Sequence, residues 1–130
     1  MAEIKQTEKF EGASAQQVYD ALMSSKQHAE FTGAAANIDN TVGGKITAWD
    51  EYIEGENIVL EPGTKIVQKW RASDWPEGEW SEATFELKDV DDDCELVFTQ
   101  VRVPESMVKD VEQGWVDYYW KPLKKYLAKK

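Results

Sequence analysis

The fold is decided by residues 94–128, CELVFTQVRVPESMVKDVEQGWVDYYWKPLKKYLA, where a strand pattern runs directly into a helix pattern. Residues 94–103 contain no glycine or proline and are rich in β-branched and aromatic side chains, which predicts a strand. Pro104 suits the first turn of a helix. From 106 to 128 apolar residues recur every three or four positions. At 1.5 Å per residue this predicts a helix roughly 30 Å long, about the width of a small domain.

The predicted helix has one apolar stripe and two residues that disturb it. The stripe consists of Val108, Val111, Trp115, Tyr118, Tyr119, Pro122, Leu123 and Tyr126. Pro122 is expected to kink the helix, because it lacks a backbone N–H. Gly114 costs about 1 kcal/mol relative to alanine within a helix. We therefore expect the sheet backbone to approach the helix closely at Gly114, which would place any pocket towards one end of the helix.

The N-terminal third predicts a strand followed by two short helices. Residues 3–11 alternate in polarity and contain no glycine or proline, which is typical of a half-buried strand. Ser14 and Gln17 have the spacing of a capping box, which predicts a helix over 15–24. A second helix is expected to run to about Phe31 and to end at Gly33.

The middle of the chain predicts strands joined by turns. We expect strands at 35–39, two within 45–60 that separate near Asp50-Glu51, and others at 64–73, 80–88 and 94–103. The predicted turns are Gly43-Gly44, Pro62-Gly63, 75–78 and 91–93. Strands joined by short turns are antiparallel neighbours. The sequence thus predicts one α+β domain over residues 1–130: a curved antiparallel sheet of six to seven strands, two short helices after strand 1, and a long C-terminal helix across the concave face.

Composition and charge exclude several classes of protein. The 130 residues carry a net charge of −10, which opposes nucleic-acid binding. Residues 121–130 hold five lysines and no acid, and this charge is expected to complement the C-terminal end of a helix dipole. No apolar run has the length of a membrane span. With a single cysteine and no apolar leader, the chain is expected to be cytoplasmic and to lack a disulfide.

Residues with catalytic or ligating chemistry are few. His28, the only histidine, is expected to have a packing or surface role, and Cys94 to be an inert thiol in a strand. Asp91-Asp92-Asp93 lacks the further ligands of a cation loop and is interpreted as a hairpin tip. Gly43-Gly44 is not followed by the helix of a phosphate loop. We therefore expect no catalytic residue, no metal site and no cofactor, and interpret the chain as a binding module rather than an enzyme.

Several short motifs match one known family in order along the chain. They are Phe31-Thr32 with Ala35, Val42-Gly43-Gly44-Lys45, Ile66–Arg71 (IVQKWR), Trp75-Pro76-Glu77-Gly78, Val103-Pro104, and Gln113-Gly114-Trp115 with Tyr118-Tyr119. Together they resemble the C-terminal domain of the activator of the heat-shock protein 90 ATPase, within the helix-grip, or START-like, group. The resemblance implies a helix-grip fold and the single domain predicted above, without the activator's N-terminal domain.

The resemblance and the aromatic residues lead to two binding hypotheses, both left open by the sequence. In the first, the chain binds a heat-shock protein 90 family chaperone and stimulates its ATPase, as the resemblance implies. Arg71, Trp75 and Trp80 then form an exposed hot spot, whereas the alternative folds both tryptophans back onto the sheet. In the second, a small apolar molecule or lipid occupies a cavity between sheet and helix. The residues expected to line that cavity are Trp70, Phe85, Phe98, Gln100, Trp115 and Tyr119.

Overall fold

The computed structural model describes residues 2–128 as a seven-stranded antiparallel sheet that packs against a long C-terminal helix. The strands are β1 (Ala2–Phe10), β2 (Asn37–Ile38), β3 (Lys45–Ala48), β4 (Ile53–Glu61), β5 (Lys65–Ala72), β6 (Ser81–Val90) and β7 (Asp93–Val103). Their order across the sheet is β1-β7-β6-β5-β4-β3-β2, and every neighbouring pair is antiparallel. The predicted α+β helix-grip architecture is confirmed.

Two short helices connect β1 to the rest of the sheet, at the predicted places. The first, α1 (Ala15–Met23), begins with the predicted capping box: Ser14 accepts from the backbone N–H of Gln17, whose side chain accepts from the backbone N–H of Ser14. The second, α2 (Ser25–Thr32), ends at Gly33 in the left-handed conformation that glycine adopts without strain. Local interactions are therefore sufficient to set the ends of both helices.

The C-terminal helical segment changes its hydrogen-bonding pattern in the middle. A 3₁₀ turn (Glu105–Met107) leads into α3 (Val108–Trp115), a π-helical segment (Val116–Trp120) and α4 (Lys121–Ala128). We call Val108–Ala128 the C-terminal helix. The N–H of Lys121 bonds to the carbonyl of Val116, five residues back. The wider turn lies directly before Pro122, whose missing N–H breaks the regular α pattern.

The π segment corrects the predicted apolar stripe. Tyr118, expected to face the core, is 59% exposed, whereas Trp120, outside the predicted stripe, is 1% exposed. A bond that spans five residues brings position i+5 over position i. Trp120 consequently stacks on Trp115, with 5.4 Å between the ring centroids and 20° between the planes. The core positions of the helix are therefore Trp115, Tyr119, Trp120, Leu123 and Leu127.

Trp115 lies at the centre of an aromatic core between the helix and the sheet. Its ring centroid is 4.4 Å from that of Phe98 on β7, 5.4 Å from that of Trp70 on β5 and 5.7 Å from that of Phe85 on β6. Such pairs contribute about 0.5–1.5 kcal/mol each beyond their burial. The concave face of the sheet is thus held to the helix mainly by aromatic side chains.

Two further expectations about this helix concerned Gly114 and the basic C-terminal residues. A Cβ at Gly114 would meet only the Tyr118 ring, at 3.8 Å, so the expected close approach of sheet backbone is wrong. Lys125 lies in the last turn of α4 and suits the helix dipole, whereas Lys121 and Lys124 form ion pairs with Asp117 and Glu8. The last two lysines of the predicted basic tail lie outside the described residues. Between residues 2 and 128, no helix has the length and hydropathy needed to cross a bilayer.

Candidate functional site

A cavity of about 450 Å³ lies between the N-terminal half of the C-terminal helix and the β3–β5 side of the sheet. Its walls are formed by Trp49, Tyr52, Ile53, Trp70, Ala72, Asp74, Met107, Asp110, Val111, Gly114, Trp115, Tyr118 and Tyr119. Six of these thirteen side chains are aromatic. Cavities of roughly 300–1,000 Å³ with mostly apolar walls are typical of small-molecule sites. We therefore consider this cavity the candidate site.

One side of the cavity is built by an unusual turn between β3 and β4. Trp49, Asp50 and Glu51 have φ values of 55°, 56° and 74°, in the left-handed region that costs residues with a Cβ about 1–2 kcal/mol each. The backbone N–H and a carboxylate oxygen of Asp50 bond to the backbone of Ala35, at 3.1 and 3.0 Å. This brace holds the strained turn, which brings Trp49 and Tyr52 to the cavity wall.

A buried hydrogen-bonded chain fixes the position of Trp115 in the cavity floor. Its indole N–H donates to Gln100 Oε1 at 2.8 Å, and the amide of Gln100 donates to the Ser81 hydroxyl at 2.9 Å. The Ser81 hydroxyl donates in turn to the backbone carbonyl of Trp70 at 2.7 Å. Satisfied buried networks of this kind restrict side chains to one arrangement. The floor is therefore preorganised without a ligand.

A second buried chain fixes Tyr119. Nδ1 of His28 lies 3.1 Å from the carbonyl oxygen of Leu22, which can only accept, so this nitrogen carries the proton. Nε2 then accepts from the Tyr119 hydroxyl, 3.0 Å away. Burial lowers the pKa of His28, partly opposed by the Leu22 bond, and burial raises the pKa of Tyr119. His28 is thus packed in the core, one of the two roles expected for it from the sequence.

The six predicted cavity residues divide into two groups. Trp70, Trp115 and Tyr119 lie on the cavity wall. Phe98 and Gln100 are fully buried and do not reach it, and Phe85, 3% exposed, lines only a gap of about 20 Å³ beneath it. The expected position is therefore wrong for Phe85, Phe98 and Gln100. They form the solid layer on which the wall rests, since the curved sheet brings the middles of β6 and β7 into direct contact with the helix.

The predicted docking residues are placed differently from the exposed hot spot. Trp75 is 4% exposed and packs edge-on against Trp70 at 5.5 Å, so the expectation of an exposed tryptophan is wrong for Trp75. Arg71 donates to the backbone carbonyls of Trp75, Pro76 and Glu79 and so holds this loop against the sheet. Its guanidinium carbon also lies 5.7 Å from the centroid of the Trp80 ring.

Trp80 is half-buried, with Lys69 Nζ 5.1 Å from its ring centroid. Its role as a docking residue stays a prediction.

Two carboxylates lie at the cavity mouth. Asp74, after β5, accepts a hydrogen bond of 2.8 Å from the Tyr52 hydroxyl, and Asp110 projects from the first turn of α3. Burial, the bond to Asp74 and the charges of both carboxylates raise the pKa of Tyr52 to about 12. The mouth therefore has a negative electrostatic potential.

The thiol of Cys94 lies outside this site. Cys94 is fully buried, and burial raises its pKa to about 11, with Asp89 and Glu95 adding to the rise and a bond to Lys88 backbone opposing it. A thiol with so high a pKa is a poor nucleophile at neutral pH. Asp91 and Asp92 form the hairpin tip, as predicted, whereas Asp93 begins β7.

Most of the residues at the mouth of the cavity were not predicted from the sequence. Met107, Val111, Gly114 and Tyr118 are spaced by four, three and four residues, which places them on one face of a helix. That spacing was a usable signal. No comparable signal pointed to Asp74, because its side chain reaches the mouth only through the path of the loop after β5.

Comparison with known proteins places the chain in a family. The model of the family described as "Activator of Hsp90 ATPase homolog 1-like protein" matches residues 12–128. A human protein named "Activator of 90 kDa heat shock protein ATPase homolog 1" is 31% identical over 85% of this chain and 33% of its own length. A Dictyostelium discoideum homologue of the activator is 30% identical over 86% of this chain and 29% of its own length. The chain thus spans about a third of these curated relatives.

Solved structures agree on the fold. The crystal structure of an HSP90 activator from Plasmodium falciparum superposes with a TM-score of 0.91 at 23% identity, over 97% of this chain and 96% of that one. The solution structure of the Aha1 dimer from Colwellia psychrerythraea gives a TM-score of 0.76 at 19% identity, over 91% and 90% of the two chains. Together with the family match, these similarities show that the chain belongs to the Activator of Hsp90 ATPase homolog 1-like family.

Proposed function

We propose that this chain is a non-catalytic binding module and that the cavity holds a small, mainly apolar molecule. The observation that carries the proposal is the cavity of about 450 Å³ with six aromatic side chains in its wall. Its volume lies within the range of small-molecule sites.

The preorganisation of the walls supports the same proposal. Trp115 is held by Gln100, Tyr119 by His28, and Trp70 by the ring of Trp75. Side chains held in this way lose little conformational entropy when a ligand binds, which favours affinity. Gly114 keeps the helix side of the cavity open, since it adds no side chain to the wall.

A matched pair of variants tests the proposal. Gly114→Leu places a side chain in the cavity, whereas Gln113→Leu makes a similar change at the neighbouring exposed position. The probe is tryptophol, an uncharged indole alcohol, titrated by calorimetry into wild type and both variants. We expect binding to wild type and to Gln113→Leu, and at least a tenfold loss in Gly114→Leu. Absence of binding to wild type, or equal binding to Gly114→Leu, would contradict the proposal.

The comparisons favour a second candidate function, the binding of a heat-shock protein 90 family chaperone. It is supported by relatives of 30–31% identity whose names describe activation of that chaperone's ATPase. Of the three predicted contacts, Trp80 and Arg71 are partly accessible, and Lys69 and Arg71 lie against the Trp80 ring. The test is the chaperone's ATPase rate with wild type, Trp80→Ala and Gly114→Leu. Stimulation that Trp80→Ala lowers and Gly114→Leu keeps would support this function, and no stimulation or binding by wild type would reject it.

A further inference from the structure

The mouth of the cavity combines exposed aromatic rings with uncompensated negative charge. Tyr52 and Tyr118 at the rim are 44% and 59% exposed, unusually open for such large side chains. Among the residues that the structure describes, Asp74 and Asp110 are the only charged ones in the wall, and none of the others there is a lysine, arginine or histidine. The polar end of any occupant therefore meets acceptors and negative charge.

The two carboxylates come from different elements, but the negative charge of each affects the same side chain, Tyr52. Asp74 follows β5 and bonds to the Tyr52 hydroxyl at 2.8 Å, and Asp110 lies in the first turn of α3. Both charges raise the pKa of Tyr52, after the larger effect of the partial burial of this side chain. The phenol of Tyr52 thus marks a place where the two negative potentials overlap.

Within residues 2–128, neither carboxylate has a cationic partner at ion-pair distance. Among the ion pairs described within residues 2–128, none includes Asp74 or Asp110. Asp110 has an ordinary structural use, because an acid in the first turn of a helix is stabilised by the helix dipole. That use accounts for one charge on the helix. It does not account for the charge of Asp74 on the opposite side of the cavity, since the hydrogen bond from Tyr52 gives Asp74 a partner but no opposite charge.

We propose that the cavity selects a small molecule with an apolar, aromatic body and a protonated amine, the ammonium lying at the mouth beside Asp74 and Asp110. The body would pack against Trp49, Trp70 and Trp115. Aromatic faces and carboxylates both attract an ammonium group, and a chain of net charge −10 attracts cations and repels anions over longer distances. This inference rests on the proposed function and adds the charge of the ligand to it.

Three indole derivatives of similar size and different charge test the inference. Tryptamine is cationic, tryptophol is neutral and indole-3-acetate is anionic at pH 7. In calorimetric titrations at low ionic strength we expect tryptamine to bind about tenfold more tightly than tryptophol, and indole-3-acetate to bind most weakly. Raising the salt concentration to about 0.5 M should reduce the preference for tryptamine, because salt screens exposed charges.

Variants that remove one negative charge each test whether Asp74 and Asp110 cause the preference for tryptamine. Asp74→Asn keeps an oxygen that can accept from Tyr52, and Asp110→Asn removes the charge at the mouth with little change in the shape of the side chain. Each is expected to weaken tryptamine binding about two- to fivefold, the range of exposed ion pairs, and to change tryptophol binding by a smaller factor. Glu112→Gln, an equal change of charge on α3 outside the cavity wall, is the control and should change neither affinity.

The outcomes separate this inference from the proposed function. If tryptophol or indole-3-acetate binds as tightly as tryptamine, the selection for an amine is wrong and the apolar site stands. If none of the three binds, both are wrong. If the two Asn variants weaken all three ligands equally, the carboxylates shape the cavity rather than select charge, which also overturns the inference.

Discussion

At the scale of single residues, two tryptophans that are buried to a similar extent differ in whether their indole N–H has a hydrogen-bond partner. Trp75 and Trp115 are 4% and 3% exposed, and both contact Trp70. The indole N–H of Trp115 donates to Gln100, whereas that of Trp75 is the only buried side-chain polar atom within residues 2–128 without a hydrogen-bond partner. A buried donor without a partner costs about 1–3 kcal/mol. The two side chains therefore differ in what they contribute to stability.

Replacing each tryptophan by phenylalanine makes this difference measurable. Trp115→Phe loses volume and also leaves Gln100 Oε1 buried without its donor. Trp75→Phe loses the same volume but removes the unpaired N–H. We expect the free energy of unfolding in urea to fall by about 1–3 kcal/mol more for Trp115→Phe than for Trp75→Phe. Equal losses, at unchanged dependence on urea concentration, would contradict this difference between the two indoles.

At the scale of elements, the π segment Val116–Trp120 allows the C-terminal helix both to fill the core and to line the cavity. The wider turn stacks Trp120 on Trp115 and leaves Tyr118 outside, where its ring packs against Trp49 at 5.5 Å. One helix consequently presents core residues on one side and cavity-wall residues on the adjoining side, and Trp115 and Tyr119 belong to both sets. π segments are rare in proteins as a whole, and those that occur often lie at functional sites. The position of the cavity beside this helix agrees with that tendency.

The helix can gain stability at Gly114 because the cavity leaves room for a methyl group. Gly114→Ala meets only the Tyr118 ring at 3.8 Å and removes a glycine from a helix interior. We expect the free energy of unfolding to rise by about 0.5–1 kcal/mol. In Gly55→Ala, the control, the added Cβ would overlap the carbonyl oxygen of Lys69 on the neighbouring strand, and stability should fall. A loss of stability in Gly114→Ala would mean that sheet backbone approaches the helix there after all.

At the scale of the whole molecule, His28 connects the two consecutive helices α1 and α2 to the C-terminal helix, which is distant in sequence. From α2 it bonds to the end of α1 through Leu22 and to the C-terminal helix through Tyr119, and it packs against Phe31 at 5.0 Å. Because both ring nitrogens are used by the neutral form, protonation disrupts the acceptor at Nε2. Burial also disfavours the charged imidazole and lowers the pKa of His28 in the folded state.

The stability of the domain should therefore depend on whether the imidazole of His28 is neutral or protonated. The unfolded chain binds that proton near pH 6.5, and the folded protein binds it only at lower pH. The stabilising contribution is thus complete above about pH 6.5 and is lost as the pH falls towards the folded pKa, by at most about 1.4 kcal/mol per pH unit. His28→Gln should remove this part of the pH dependence between about pH 7.5 and 5, measured by urea unfolding at each pH.

If His28→Gln does not fold, the same prediction can be tested by titrating His28 in the wild-type protein. His28 is the only histidine, so its imidazole gives a single set of resonances in the NMR spectrum. Those resonances should show the folded protein taking up the proton below about pH 6.5. A midpoint at or above the pKa of an unfolded histidine, or parallel stability profiles for wild type and His28→Gln, would contradict the lowered pKa of His28.

Much of this molecule was predictable from short stretches of sequence. The capping box at Ser14 and Gln17, the end of α2 at Gly33 and the hairpin at Asp91-Asp92 depend on residues a few positions apart. The alternation of polar and apolar residues predicted the strands because side-chain direction in a strand has a period of two. Antiparallel pairing followed from the short turns. These features are local, and each can be evaluated without knowing where the rest of the chain lies.

The sequence by itself therefore determined the strands, the helices, their antiparallel order and the aromatic character of the core. Only the tertiary structure decided which aromatics line a cavity, which form the layer beneath it and which carboxylates reach its mouth. His28 and Tyr119 are 91 residues apart, and Tyr52 and Asp74 are 22 apart. The π segment also exchanged the positions of Tyr118 and Trp120 relative to a regular helix. The physical reason is that burial and hydrogen bonding depend on distances in space, and a register change of one residue redirects a whole helix face.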